Sequence, residues 1–325
     1  MVYLPCAADR RGELGVSLAR IVGRALAGLI GLGGAATLLG FLDRISWVFE
    51  PLAFFRLQYA VLLAAASALA LALRRFRLAA LAVALLAANL AVIAPLRGSP
   101  VVPPAGPDRV RLLVFNVNAS NDRYDRLIAY ARRVRPDLIG LTELTPAWAR
   151  QLAPALAGFA HRQLAARADE YGLGLYSRRP LTHSRLARFP AAGPQAIRAD
   201  FSLGGRQVSV LLVHVHTPFA GQVHHRELEA IAAARAKLGR RLVVCGDFNT
   251  VPWASAFRRF ASAAGLRDLY DGSWPAYSWP TWSPLLRLPL DHCLTSRGLT
   301  VIARRFGPNL GSDHFPLVVD LAAAG

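Results

Sequence analysis

The sequence predicts a mixed α/β domain with a substantial β core, preceded by three transmembrane helices. Three observations carry that expectation. Of the 325 residues, 54% are hydrophobic and 18% charged, but the apolar content is concentrated in the first hundred residues, a profile that a soluble domain seldom shows. The stretch G-S-P-V-V-P-P-A-G-P at 98–107 reads as a semi-rigid spacer and a domain boundary. Beyond it, apolar runs of strand length alternate with helix-length segments, as in α/β domains.

The first region, residues 1–97, contains three uncharged runs rich in Leu and Ala: Ala25 to Leu42, Leu57 to Leu73 and Leu78 to Leu96. Each approaches the length of about 20 residues that crosses a bilayer core. A single run could be a buried core helix, but three in succession, separated by short charged loops, read as transmembrane helices. Gly28, Gly31, Gly33 and Gly34 are expected to form a close-packing face in the first. Arg10, Arg11, Arg20 and Arg24 precede it, and Arg74, Arg75 and Arg77 lie between the second and third. The positive-inside rule then places the N-terminus in the cytoplasm and, after three crossings, everything from residue 98 onward outside it. The expected setting is a multi-pass protein of the cell membrane, with the lipid bilayer as partner of the N-terminal helices.

In residues 108–325, strands are expected at Arg109 to Val117, Asp137 to Glu143, Gly172 to Ser177, Gln207 to His216, Arg241 to Asp247, Leu290 to Thr295 and Pro316 to Leu321. Helices are expected at Tyr124 to Val134 and His224 to Leu238. The three cysteines, Cys6, Cys245 and Cys293, have no metal-binding spacing. Cys245 and Cys293 sit in apolar runs where buried free thiols are expected. Residues 1–100 carry 10 arginines against four acids (+6), and the remainder carries 28 basic against 16 acidic residues (+12). That basic balance admits polyanionic or anionic-lipid partners, although arginine bias alone produces the same surface.

Acids, amides and histidines collect where the strands run out: V-F-N-V-N at 114–118, L-T-E-L at 141–144, V-H-T-P at 215–218, G-D-F-N at 246–249, L-D-H at 290–292 and G-S-D-H-F-P at 311–316. Any one of them is an ordinary turn signal. Together they supply what a hard divalent cation requires: the carboxylates Glu143, Asp247, Asp291 and Asp313 and the amides Asn116, Asn118 and Asn249. His216 and His314 add groups that titrate near neutral pH. His224, His225 and Arg226, opening a helix, are expected to face solvent.

In order and spacing these stretches resemble the endonuclease/exonuclease/phosphatase superfamily across residues 109–322. The resemblance implies a DNase I-like fold of four layers, two packed β-sheets flanked by helices, and metal-dependent hydrolysis of phosphoester bonds, with Mg²⁺ the usual ion and Mn²⁺ or Ca²⁺ as alternatives. By position it makes Glu143 the principal metal ligand, with Asn116 assisting and Asp313 nearby. Asp247 would align or deprotonate the attacking water, Asn249 would bond phosphoryl oxygens, and His314 would contact the scissile phosphate with its ring fixed by Asp291. His216 resembles the histidine of an N-T-H-L stretch in phosphodiesterase-like members. Asn118 and Tyr171 are the expected substrate contacts. Thr142 stands where many members have Gln, and Asn118 where nucleases often have Asp, which weakens a specific claim for DNA. His292 is assigned no catalytic role.

The expected activity is that of a membrane-anchored phosphodiesterase or phosphatase, its substrate a membrane lipid headgroup. The rivals are an extracytoplasmic nuclease and a non-catalytic, membrane-tethered binding module. Trp253, Trp274, Trp279 and Trp282, in or near the Pro-rich loop Asp271 to Pro289, would stack on a base or sugar, dip into headgroups or simply pack the loop. No protein partner follows from the sequence.

Overall fold

The computed structural model describes residues 7–94, 108–189, 195–268 and 277–323; the spacer at 98–107 and Trp274 lie outside the described residues. The first helix, α1 (Ala7–Leu39), begins well before the expected Ala25 and runs into a short 3-10 turn over Gly40–Arg44. A short helix, α2 (Glu50–Phe54), then leads into α3 (Arg56–Ala72) and α4 (Phe76–Ile93). Two segments, Arg20–Arg44 and Phe76–Ile93, are each long and apolar enough to cross a bilayer. The second expected span falls on α3, which has 17 residues. It reaches spanning length only together with Trp47–Phe54, from which it is bent by 53°.

The glycines of α1 do not form one packing face. An added Cβ would meet Leu62 at 3.7 Å from Gly33 and Leu85 at 2.9 Å from Gly34, whereas Gly28 and Gly31 look onto open space. A buried polar thread ties the helices together instead. Asn89 donates from Nδ2 to Thr37 Oγ1 (2.9 Å), and its Oδ1 accepts from Arg56 (3.4 Å). Paired polar groups of this kind hold apolar helices together where burial alone discriminates little.

Strand β1 (Arg109–Asn116) and strand β2 (Leu138–Thr142) run parallel, joined through α5 (Tyr124–Val134). After α6 (Pro146–Ala155) come β3 (His161–Ala165), β4 (Leu173–Ser177), β5 (Thr182–Arg188), β6 (Gln195–Leu203) and β7 (Arg206–His214). Helix α7 (Gln222–Ala233) carries the chain to β8 (Leu242–Asp247), which lies parallel to β7. The chain then forms α8 (Ser255–Ala263), β9 (Leu266–Asp268), β10 (Asp291–Ser296), β11 (Leu299–Phe306) and β12 (Leu317–Ala323).

The strands make two six-stranded sheets, ordered β11-β12-β1-β2-β4-β3 and β5-β6-β7-β8-β10-β9. Alternation along β1 shows how they stack. Val110, Leu112 and Val114 join Ile197, Val210, Leu212 and Val243 between the sheets, while Leu113 and Phe115 pack outward with Leu127 of α5 and Leu152 of α6. The outer face of the second sheet is covered by Leu228 of α7 and by Phe257 and Phe260 of α8. The result is the expected four-layer architecture. Cys245 and Cys293, expected as free thiols, lie opposite each other on antiparallel β8 and β10 and are joined as a disulfide.

The apolar helices sit directly on this domain. Phe54 and Ile93 belong to the same core as α7 and α8. Trp253 donates to the Ala53 carbonyl (2.8 Å), and Ser255 gives its backbone N–H (2.8 Å) and its hydroxyl (2.7 Å) to Asp43. Buried Glu50 takes a hydrogen bond from Thr250 (2.9 Å) and pairs with His225, with His224 at 3.5 Å. His224 and His225 are therefore not solvent-facing. Their helix start is covered by a carboxylate from α2, and His224 is fully buried.

Candidate active site

Two pairs of parallel strands, one in each sheet, end side by side, and their last residues build the site. In register, Asn116 lies beside Thr142, which precedes Glu143, and His214 beside Asp247. Antiparallel β10 starts opposite Asp247 with Asp291. The site thus straddles the seam between the sheets, where strand ends leave polar groups that no ladder takes up.

Asn116 bridges the seam. Its Nδ2 donates to Glu143 Oε1 at 2.8 Å and to Asp247 Oδ2 at 3.0 Å, joining carboxylates from different sheets. The other Glu143 oxygen accepts from Ala119 N (2.9 Å), and Asp247 Oδ1 accepts from Asn249 N (2.8 Å). Gly246 is demanded by the backbone: at φ +144° a Cβ would stand 1.9 Å from the Val213 carbonyl oxygen on the neighbouring parallel strand.

His314 lies between two acids. Its Nδ1 bonds Asp291 Oδ2 at 2.7 Å, and its Nε2 stands 3.6 Å from Asp247 Oδ2. Ligand atoms of Asp247, Asp291 and His314 all fall within 4.8 Å of one another, and the three residues are buried. Burial opposes the charged imidazolium, but Asp291 and Asp247 outweigh it and raise His314 to about 10. Burial also pushes Asp247 above the usual carboxylate range, with His314 pulling back and Asp291 adding to the rise. The loop before β10 fixes the second acid: Ser278 Oγ accepts from the backbone N–H groups of Leu290 (2.8 Å) and Asp291 (2.9 Å). Ser312 ties the His314 turn back to β1 through the Asn116 carbonyl at 2.8 Å.

Asn116, Glu143, Asp247 and Asn249 therefore form one hydrogen-bonded set and Asp291 with His314 another, the two meeting at the 3.6 Å His314–Asp247 pair. Asn118 and Asp313 form a second layer beside them. Asn118 Nδ2 donates to Asp313 Oδ1 (2.7 Å) and Trp279 Nε1 to Asp313 Oδ2 (2.9 Å). Burial alone would raise Asp313, yet His314 and these two donors hold it below its ordinary value. The Asn249 amide is turned onto the Val215 carbonyl (2.9 Å), with His214 Nε2 at 3.4 Å, so bonding a phosphoryl oxygen would require one of these partners to be released. His216 stands one ring away: it is stacked on Tyr171 (4.4 Å between ring centroids) and bonded through Nδ1 to buried Glu227 (2.6 Å). His292 is held between Asp268 (2.6 Å) and the Thr250 carbonyl (2.9 Å), a structural position.

Sequence reasoning missed His214, Ser278 and Glu227, and it named Trp279 as a loop aromatic without reading its bond to Asp313. His214 carried a signal, since alternation in H-V-H puts it on the same side as His216 and it ends its strand in register with Asp247. Ser278 and Glu227 lie on segments whose approach to the site only the fold determines.

The fold and site together define a two-sheet α/β protein with an acid–histidine–amide centre at the seam of its sheets. The chain belongs to the endonuclease/exonuclease/phosphatase family, whose model matches residues 113–314. Among solved structures, zebrafish (D. rerio) TDP2 complexed with a single-strand DNA product matches at a TM-score of 0.58 and 18% identity over 66% of this chain and 99% of that one. The human Nocturnin catalytic domain with bound sulfate matches at 0.54 and 21% over 66% and 95%. A family protein from Leptotrichia buccalis matches at 0.55 and 16% over 65% and 98%. No curated protein matches the chain.

Proposed function

We propose that the chain is a membrane-anchored, metal-dependent phosphoesterase acting on lipid phosphoesters at the membrane surface. The observation that carries the reading is the centre itself. Asp247 and Asp291 flank the His314 imidazolium, and Asn116 links Asp247 to a third carboxylate, Glu143, so that carboxylates outnumber the cation they surround. Asp291 Oδ1 is buried and, among the described residues, lacks a hydrogen-bond partner. An all-oxygen set with that charge deficit suits a hard divalent cation such as Mg²⁺. Glu143 and Asn116 would hold it, with Asp247 facing them and Asp313 acting from the adjoining layer. When bound, such an ion supplies charge stabilisation to the phosphoryl oxygens, worth several kcal/mol.

The protein's own groups then have defined tasks. Asp247, fixed by Asn249 N and raised in basicity by burial, orients a water and accepts its proton as the new P–O bond forms and the ester P–O bond breaks, the leaving alkoxide taking a proton from solvent. His314, kept cationic by Asp291, donates a hydrogen bond to a phosphoryl oxygen as negative charge grows there. Asn249 and Asn118 line the phosphate approach, and Tyr171 with His216 walls one side.

Four observations support the membrane setting and the lipid class. Two helices and one bent pair have spanning length and apolar character. Those helices contact residues 250–255, the start of α7 and the 277–290 loop, all at the catalytic end of the domain. The arginine cluster Arg235, Arg240, Arg241 and Arg297 lies instead at the opposite end of β8, roughly 17 Å away at ~3.3 Å per residue. A nucleic-acid reading would place that charge around the site. The Cys245–Cys293 disulfide suits the oxidising side of a membrane.

The test compares plasmid DNA with phospholipid vesicles as substrates of the full chain in Mg²⁺, at about 50 and 200 mM salt. The lipid reading predicts turnover of vesicles with little salt dependence. Turnover of DNA alone, falling steeply with salt, would replace it with the nuclease reading, for which the DNA-bound TDP2 structure is the precedent.

A further inference from the structure

The same loop that holds the catalytic acids also closes an apolar groove on the helices. Leu26 and Leu29 of α1, the α3 face from Leu57 to Leu69, and Tyr277, Leu285 and Arg287 enclose about 1050 Å³. The α3 positions 57, 58, 61, 62, 65, 66 and 69 form one continuous stripe. At ~1.5 Å rise per residue that stripe is roughly 18 Å long, a little more than one leaflet of a hydrocarbon core ~30 Å thick. The groove is therefore leaflet-sized, and it is open enough to leave Val61 66% and Leu285 80% exposed.

Its end toward the catalytic domain is polar, and its polar groups are incompletely paired. Gln58 Nε2 donates to the Arg287 carbonyl (3.1 Å), which fixes the amide and leaves Gln58 Oε1 buried without a partner among the described residues. Arg287 Nε is likewise buried and unpartnered, its guanidinium lying 5.0 Å over the ring of Phe315, the residue after His314. Buried polar atoms left open in this way cost free energy unless a ligand meets them. From this loop the path to the site is short: Phe315 N donates to the Ser278 carbonyl (2.7 Å), and Trp279 bonds Asp313 (2.9 Å).

We propose that this groove binds the hydrocarbon chain of a lipid phosphoester, with the anionic headgroup drawn toward Arg287 and the phosphate delivered to the Asp247–His314 centre. The inference rests on the phosphoesterase reading and names its substrate class. An apolar stripe of leaflet length ending in an arginine and an unpaired acceptor matches a single-leaflet amphiphile: chain, hydrogen-bonding linkage and phosphate, in that order. A second protein helix would fill the stripe but would leave the arginine unanswered.

Alkylphosphocholines with chains of 8 to 16 carbons, at fixed mole fraction in dodecylmaltoside micelles, are titrated against hydrolysis of bis(p-nitrophenyl) phosphate by the full chain. In parallel, a hexadecylphosphocholine bearing a diazirine at the chain end is photo-crosslinked. Ala65→Trp fills the groove, and Ala64→Trp, outside it, is the control. The proposal expects inhibition to strengthen at least tenfold from the shortest to the longest chain and label to fall on residues 57–69. Both effects should be lost in Ala65→Trp and kept in Ala64→Trp, with hydrolysis of the soluble diester alone unchanged in both. Inhibition independent of chain length, or equal labelling of the two variants, overturns the groove. If labelling follows the groove while the wild-type protein fails to hydrolyse the soluble diester, the lipid site stands and the phosphoesterase reading falls.

Discussion

Glu143 occupies a left-handed backbone conformation (φ 58°), as do Asn118 (59°) and Asn249 (49°). Asparagine tolerates that region, whereas for glutamate it costs on the order of 1–2 kcal/mol, strain that a structure retains where the side chain's position matters more than its stability. Glu143→Gln, which keeps the shape and removes the charge, is expected to leave the fold intact by circular dichroism and to lower kcat at least about 100-fold, in line with loss of a key electrostatic group. Asp291 sets the protonation of His314. Because Asp291 and Asp247 raise His314 to about 10, its imidazolium persists through neutral pH. Asp291→Asn removes one raising charge, so His314 loses its proton at lower pH. The wild-type rate should show no fall between pH 6 and 8 from this residue, while the variant's should fall as pH rises, a contrast read directly from pH–rate profiles. The six central residues were legible because each sits in a short motif at a strand end. His214 was legible in principle, and Trp279 was legible as a loop aromatic though not as the partner of Asp313, while Ser278 and Glu227 act through contacts 11 to 13 positions away in the chain, which no local pattern encodes.

At the scale of elements, the sequence pattern found the central strands and missed the outer ones. Strands β1, β2, β7, β8 and β12 are rich in Leu, Val and Ile because they are covered on both faces, and β4 and β10, less rich in them, are likewise buried along their length. Strand β5, T-H-S-R-L-A-R, lies at a sheet edge and is largely exposed, and arginines interrupt β6 and β11. Helix α6 was hidden by its internal Pro154, though Thr145 caps it by accepting from Trp148 N (3.2 Å) and Pro146 stands in its first turn. The G-D-F-N glycine has an element-level cause, the close parallel pairing of β7 and β8. Gly246→Ala must push those strands apart, so a stability loss of about 2 kcal/mol or more is expected in urea unfolding. A change within about 0.5 kcal/mol would show that β8 is not held as described.

For the whole molecule, the sequence separated an apolar region from a catalytic domain, but it gave no sign that the two share a core. Asp43 and Glu50 read as loop charges between spans; both are buried against residues following Asn249 and the start of α7. That junction runs on to the site, since His224 beside Glu50 also bonds the His216 carbonyl (2.6 Å). Glu50→Ala strips partners from Thr250 and His225 and is expected to cost about 1–3 kcal/mol, seen as a lower Tm of the detergent-solubilised chain. An unchanged Tm would mean that the helices are tethered to the domain without being packed on it. The proposed orientation predicts signal from a C-terminal reporter that matures only outside the cytoplasm; signal from a cytoplasm-only reporter would reverse it. The central claim is a metal-dependent phosphoester hydrolase centred on Asp247, and its most direct test is hydrolysis of bis(p-nitrophenyl) phosphate by the full chain in Mg²⁺ and in EDTA, with and without Asp247→Asn. Turnover that requires the metal and drops at least about 1,000-fold in the folded variant is the predicted result. Equal rates in EDTA, or an Asp247→Asn protein as active as the wild type, would contradict the account.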